Sequence, residues 1–306
     1  MRKVVKAAVE QALTRSGVSN LMARRHSTDR LILAYHNVVP VGERLWGERS
    51  LHIAESTFRA HLEVLQTVST VVPLDELLDE EGRLTGGPRV SITFDDGYRG
   101  ALTIGAKVLA EYDLPATFFL TPGLRPEEGF WWDRLAEQSG GTLPVGVRNH
   151  CLQELDGRHD RVVAWSSANG LPSDPAPPLG RAATREEVLG VWSRGRSTLG
   201  CHTWTHPNLA RLSSSERREE FRRCREWIAA LTGTESRVAS YPYGLQSVEV
   251  HHDARAAGHR HGLCISGGFL SKDGPLNAFS VPRLNVPAGL SPAGLRLRLA
   301  GIGLAS

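Results

Sequence analysis

The chain has 306 residues and a formal net charge of +3; 41% of its residues are hydrophobic and 23% charged. These are ordinary globular proportions, enough for one large domain or two small ones, and the charge is too slight to argue for nucleic acid. The four cysteines (Cys151, Cys201, Cys224 and Cys264) are scattered, which argues against a disulfide framework or a C-x₂-C zinc module and suits a reducing compartment.

The first segment, over 1–30, reads as a basic amphipathic helix. Val4, Val5, Ala8, Val9 and Leu13 fall at helical spacing, with Lys and Arg on the remaining face. Lys6, Glu10, Gln11 and Arg15 interrupt the apolar run that a secretory signal requires, so the expectation is a cytoplasmic protein. No stretch approaches the ~20 apolar residues of a membrane-spanning helix. Two placements stay open for this helix: packed on the domain, or resting on an anionic inner-membrane face. Deleting residues 1–25 separates them, since only the second predicts lost membrane association.

A single domain is expected over 31–306. The apolar run 31–35 reads as a buried strand. A helix follows over Glu55–Val68, with Ser56 and Thr57 as caps and Phe58, Leu62 and Leu65 on one face. A short helix is expected around 75–79, and Gly86, Gly87 and Pro88 break the chain before a strand over Arg89–Phe94. The pattern then predicts a helix over 100–112 and a strand over Ala116–Leu120. Continuous apolar runs alternating with helices favour an α/β fold with a parallel sheet. From 122 to 183 the pattern loosens into Gly, Pro and turn residues around Trp131 and Trp132, and this segment reads as an insertion. Regular structure resumes at Thr184 with a capping signature, and a second strong helix spans 214–231, with Phe221, Cys224, Ile228 and Leu231 on one face.

Two places carry chemistry. Asp95 and Asp96 end an apolar strand and are followed by Gly97, and neighbouring carboxylates repel unless a cation stands beside them. The bland reading is a surface Asp-Gly turn. His202 and His206, four apart, suit one helical turn or a curled loop holding a metal, the bland reading being two ordinary histidines. Two imidazoles and one carboxylate leave coordination positions open, as catalytic metals require.

ITFDDGY at 92–98 and LGCHTWTHPNLARL at 199–212 resemble the first and second motifs of the polysaccharide deacetylases, the NodB-homology or carbohydrate esterase family 4 enzymes. YDLPATFFLTPG at 112–123 and LSSSERREEF at 212–221 fit as well. The resemblance covers roughly 31–288, with the insertion outside it. It implies a distorted (β/α) barrel with the insertion between the two metal-ligand motifs, and a site at the C-terminal mouth of the strands. It also implies that Asp96, His202 and His206 bind a divalent metal and that Asp95 is the general base for the attacking water. The physical logic agrees, since a metal lowers the pKa of water and a nearby carboxylate can take the proton. Zinc suits this donor set, and cobalt, nickel or manganese would be accommodated too.

The third motif of the family begins with an arginine where this chain has Ser240, followed by Tyr241-Pro242-Tyr243-Gly244. Tyr243 is expected to offer its backbone N–H to the oxyanion, and Arg283 to replace the missing arginine beside Asp95. The family's general acid is a histidine near the C-terminus, which this chain lacks. Leu33-Ala34-Tyr35-His36 has the same character, an apolar strand ending in histidine, and resembles the poly-N-acetylglucosamine deacetylase branch with that strand moved to the front. His36 is therefore the expected general acid, and Asp273 a weak candidate for the acid that tunes it. The remaining histidines are expected to lack comparable partners, with His251-His252 and His259-Arg260-His261 solvated. Trp131 and Trp132 either stack on a sugar or anchor the insertion.

The expected reaction is hydrolysis of an N-acetyl group from an amino sugar in a glycan or glycoconjugate precursor, lipid-linked or nucleotide-linked. Two alternatives stay open: cleavage of a formyl or O-acetyl group by the same residues, and a carbohydrate-binding protein that has lost turnover.

Overall fold

The computed structural model describes residues 10, 12–14, 29–79, 88–171, 175–270 and 276–303. Most of the segment 1–30 lies outside them; positions 10 and 12–14 are helical. Ser291 donates a hydrogen bond of 2.6 Å to Glu10.

The runs expected as strands pair side by side. The main sheet contains β1 (Arg30–Tyr35), β5 (Arg89–Phe94), β6 (Ala116–Leu120), β7 (Ser197–Cys201), β8 (Val238–Ser240), β9 (His261–Cys264), β10 (Val281–Pro282) and β11 (Leu284–Asn285). Their order is β10-β9-β8-β7-β6-β5-β1-β11, all parallel, with β4 (Thr70–Val71) beside β5. β10 and β11, the two ends of this path, are separated by the single residue Arg283. The sheet therefore curls into a nearly closed (β/α) barrel with a seam one residue wide. β2 (Asn37–Val39) and β3 (His52–Ala54) form a separate parallel pair.

Period-two alternation sorts the core into two layers. Ile32, Phe119, Val238, Leu263 and Val281 form one apolar cluster together with Val72 and Leu77. Their strand neighbours Leu31, Leu33, Phe118, Ala239 and Cys264 join the larger cluster with the surrounding helices. Helix α1 (Glu55–Val68) buries Phe58, Leu62 and Leu65 on that layer. Its N-cap is Ala54 without a side-chain bond, so neither Ser56 nor Thr57 caps it. Helix α2 (Leu74–Asp79) follows.

The expected helix over 100–112 divides into a π-helical turn, Ala101–Gly105, and α3 (Ala106–Glu111). Gly100 sits where this element meets β2; a Cβ there would lie 2.3 Å from Asn37 Oδ1 and 2.4 Å from the Val38 carbonyl, so only glycine fits. The insertion folds into α4 (Trp131–Gln138), α5 (Val145–Gln153) and α6 (His159–Ala168). The bridge Tyr98–Ala182 ties it to the barrel, and Gly129–Arg181 joins its two ends. Thr184 and Glu187 form a capping box on α7 (Arg185–Trp192), as do Ser213 and Glu216 on α8 (Ser214–Thr232). Helices α9 (Val248–Ala256) and α10 (Pro292–Leu299) complete the outer layer. All four cysteines are free and buried, and no described helix is long and apolar enough to cross a membrane.

Candidate active site and metal centre

Ser91, Thr93 and Asp95 form the polar column of β5, while Val90, Ile92 and Phe94 pack toward the helices. At the strand end Asp96 and Gly97 both take left-handed backbone angles, φ 70° and 74°. That turn swings the second carboxylate out beside the first instead of to the opposite face. Thr121 from the end of β6 fixes it by donating to the Asp96 carbonyl at 2.8 Å.

His202 and His206 lie on a curled loop after β7, not on a helical turn. Thr203 and His206 have φ of 68° and 59°, a conformation that β-branched and ring side chains rarely adopt unaided. The loop is held from α8: the Glu220 carboxylate accepts from the Trp204 and Thr205 amides at 2.8 and 2.7 Å and from the Thr205 hydroxyl at 2.7 Å. His202 donates Nδ1–H to the Ser240 carbonyl at 2.8 Å, which leaves Nε2 as a lone pair. The His206 Nδ1 is buried without a partner among the described residues, and its ring is wedged between Trp132 and Tyr243 at centroid distances of 4.7 and 4.5 Å.

The two Nε2 atoms stand 3.1 Å apart, each 3.2 Å from Asp96 Oδ1. Two nitrogens and a carboxylate oxygen converging this closely suit a divalent cation, and two imidazoles with one carboxylate match the donor preference of zinc and its first-row neighbours. Burial pushes the Asp96 carboxyl up, but the two imidazoles outweigh it and hold it well below the usual range. Burial likewise pushes His202 down; Asp95 and Asp96 outweigh that and raise it, whereas for His206 burial prevails.

Asp95 meets a cation of its own. Arg283 is fully buried and donates to both Asp95 oxygens, Nη1 to Oδ1 at 2.8 Å and Nη2 to Oδ2 at 2.6 Å. Its Nη1 also reaches Thr93 Oγ1 at 3.1 Å, and Nη2 reaches Ser240 Oγ at 2.7 Å. Ser240, standing where the third motif has its arginine, also donates to Asp95 Oδ2 at 3.2 Å. Burial pushes the Asp95 carboxyl up; Arg283, His202 and His36 together outweigh it and hold it below the usual range.

His36, just past β1, lines the same cavity of about 360 Å³ as Asp95, Asp96, His202, His206 and Tyr243. Burial lowers its pKa against the pull of Asp96 and Asp95. Tyr243 is left-handed at φ 59°, and its hydroxyl donates to the His206 carbonyl at 3.1 Å. The structure thus brings together all seven residues singled out from the sequence: six line one cavity, and Arg283 backs it. Asp273 lies outside the described residues.

Three expectations need correction or completion. His52 does have a partner: Nε2 meets Asp133 Oδ1 at 3.0 Å, both groups being buried. Tyr98 donates to Asp133 Oδ2 at 2.7 Å and receives the Trp132 indole N–H at 2.8 Å, so the network ends on the ring that covers His206. His259 is only 3% exposed and packs against Phe221, and His261 opens β9, so neither is a solvated turn residue. Trp131 and Trp132 are 2% and 6% exposed; they anchor the insertion, and both also line the cavity. Glu220 and Asp133 were legible only as ordinary acids, one in a charged helix and the other after two tryptophans. Nothing local announces a buried acceptor for a distant loop.

Fold and site together are those of a parallel (β/α) barrel with three converging donors, Asp96, His202 and His206, that could hold a metal at its mouth. The chain belongs to the polysaccharide deacetylase family, whose profile matches residues 82–262. No curated protein sequence matches it. Among solved structures it is similar to the deacetylase PplD of Streptococcus pyogenes (15% identity, 88% of this chain and 97% of that one, TM-score 0.61). It is similar to IcaB from Ammonifex degensii (19% identity, 90% and 97%, TM-score 0.61). It is also similar to a de-N-acetylase from Aggregatibacter actinomycetemcomitans (17% identity, 83% and 94%, TM-score 0.56). At these identities the likeness establishes the shared barrel.

Proposed function

We propose that the protein is a metal-dependent N-deacetylase acting on an amino sugar in a glycan or glycoconjugate precursor. The observation that carries this reading is the pairing of two differently treated carboxylates at one cavity: Asp96 faces two imidazoles, while Asp95 is clamped by Arg283. Asp96, His202 and His206 would hold the cation. A divalent metal bound there supplies Lewis acidity, polarising the acetamide carbonyl and lowering the pKa of water.

The chain's own groups supply the rest. Asp95, kept ionised and oriented by Arg283 and Ser240, takes the proton of the attacking water. The Tyr243 backbone, set in its left-handed turn at the cavity wall, presents its N–H to the developing oxyanion. His36, on the wall of the same cavity, delivers a proton to the leaving amine.

The test is acetate release from N-acetyl sugars by zinc- or cobalt-loaded protein. Asp95→Asn and His36→Gln are expected to lower kcat by about 10²–10⁴ each while the metal content stays near that of wild type. Release of formate, or of acetate from O-acetyl esters alone, would replace the amide reading. Metal binding without turnover on any substrate would leave a binding protein.

A further inference from the structure

The wall of the cavity that faces the solvent is built by the insertion and by the loop before β3. It holds two charged side chains, Glu48 and Arg148. Glu48 is fully used in folding: Oε1 accepts from the Ser50 amide and hydroxyl at 3.3 and 2.9 Å, and Oε2 from the Leu143 amide at 2.6 Å. Arg148, on α5, is different. It is exposed, and its side chain has no hydrogen-bond or ion-pair partner among the described residues.

Four other arginines of the insertion are paired. Arg125 faces Glu128, Arg158 faces Glu216, Arg161 faces Asp156, and Arg181 donates to the Ala176 carbonyl. Arg134 also has no side-chain hydrogen bond or ion pair among the described residues, but it lines a separate, smaller pocket; of the two, Arg148 is the one on the cavity. Deeper in, Asp95 is already neutralised by Arg283 and Asp96 faces the two imidazoles, so Arg148 has no unsatisfied acid to serve inside the protein.

Resting on the deacetylase reading, we infer that Arg148 is a specificity residue which binds a phosphate or diphosphate ester carried by the amino-sugar substrate, while the acetamide sits at Asp95 and the two histidines. A guanidinium offers a planar pair of donors that match phosphate oxygens, and at a solvent-open rim it meets an anion without first losing a protein partner. The neutral interior lined by Trp131, Trp132, Tyr243 and Ile265 accepts the sugar, and the cation at the rim selects what the sugar is attached to.

The test compares kcat/KM for N-acetylglucosamine, its 1-phosphate, a nucleoside-diphosphate-linked form and a short-prenyl-diphosphate-linked form, in wild type and Arg148→Gln. Arg194→Gln, an exposed arginine at the opposite end of β7, serves as control. Wild type is expected to prefer the phosphorylated sugars by about tenfold or more at low salt, the preference shrinking as salt is added. Arg148→Gln brings the ratio close to one, and Arg194→Gln leaves it unchanged. Whichever diphosphate is processed faster identifies the carrier. Equal rates on neutral and phosphorylated sugars in wild type, or a ratio unaltered by Arg148→Gln, would overturn the inference while leaving the deacetylase intact. If no sugar releases acetate, the deacetylase reading fails, and calorimetric binding of N-acetylglucosamine 1-phosphate decides the inference alone. Affinity weakened about tenfold or more in Arg148→Gln supports it; equal affinity, or no binding to wild type, overturns it.

Discussion

Arg283 and Asp95, 188 positions apart in the chain, meet through two hydrogen bonds of 2.8 and 2.6 Å inside the barrel. The geometry is a bidentate fork on a carboxylate, which a lysine cannot reproduce. Burial alone would push Asp95 up, and Arg283 leads the groups that bring it down. In Arg283→Met the acid limb of the kcat/KM profile is therefore expected to move to higher pH, since Asp95, the proposed base, must be ionised to act. The buried carboxylate also loses its partner, so denaturant unfolding should show a loss of about 3–5 kcal/mol. Arg283→Lys should fall between the two. An acid limb that stays in place in Arg283→Met would detach the arginine from the base.

Metal loading is expected to be visible in stability. A ligand at one hundred times its dissociation constant adds about 2.7 kcal/mol to a folded state it binds exclusively. Zinc should raise the melting temperature of wild type and a chelator should reverse the rise, while His202→Ala and Asp96→Asn should respond to neither. Differential scanning calorimetry with and without zinc gives the answer, and an equal rise in all three proteins would move the cation elsewhere.

Asp133 is fully buried and accepts from the Tyr98 hydroxyl and the Glu48 amide besides meeting His52. Asp133→Ala strands these groups in a dry environment and is expected to cost about 3 kcal/mol or more, against roughly 1 kcal/mol for Tyr98→Phe. Because Trp132 donates to Tyr98 and covers His206, the tryptophan emission of Asp133→Ala should shift to the red under native conditions. Stability lost without an emission change would confine the network to folding.

His61 on α1 meets the Tyr35 hydroxyl at 3.1 Å and the Leu290 carbonyl at 3.0 Å, and burial lowers its pKa to about 4. The folded state thus binds its proton less readily than the unfolded chain, whose ordinary value is about 6.5. The stability it contributes is complete above about pH 6.5 and is lost as pH falls toward 4, by roughly 3 kcal/mol in total. His61→Gln should be less stable at pH 7 and should show a flatter decline over that interval in denaturant titrations at stepped pH. An identical decline in both proteins would assign the acid sensitivity to other groups.

What could be read from the sequence follows how local the cause is. Glu55–Val68, Arg89–Phe94 and Ala116–Leu120 carry their own periodicity, and the structure has these elements at these bounds. Asp95, Asp96, His202 and His206 were legible because short spacings hold their chemistry together. Arg283 was accessible only by asking what replaces an absent charge. His52 with Asp133, and Glu220 with the loop at Trp204, are contacts between ordinary-looking segments far apart in the chain. Their signal exists only after folding. The same holds for His259, whose surroundings in the chain read as a polar turn but whose ring lies against Phe221.

Arg283 is the one residue between β10 and β11, strands that belong to opposite edges of the sheet. Its backbone amide bonds Cys264 on the β9 side, while its guanidinium crosses the interior to the end of β5. The side chain that grips Asp95, the proposed base, is thus also the clasp on the cylinder. Any breathing motion that parts the two edges must loosen that grip, so a molecule with an open seam has a disarmed base. Turnover then doubles as a gauge of closure, and on gentle heating activity should fade ahead of the helical signal, with the lost fraction returning on cooling.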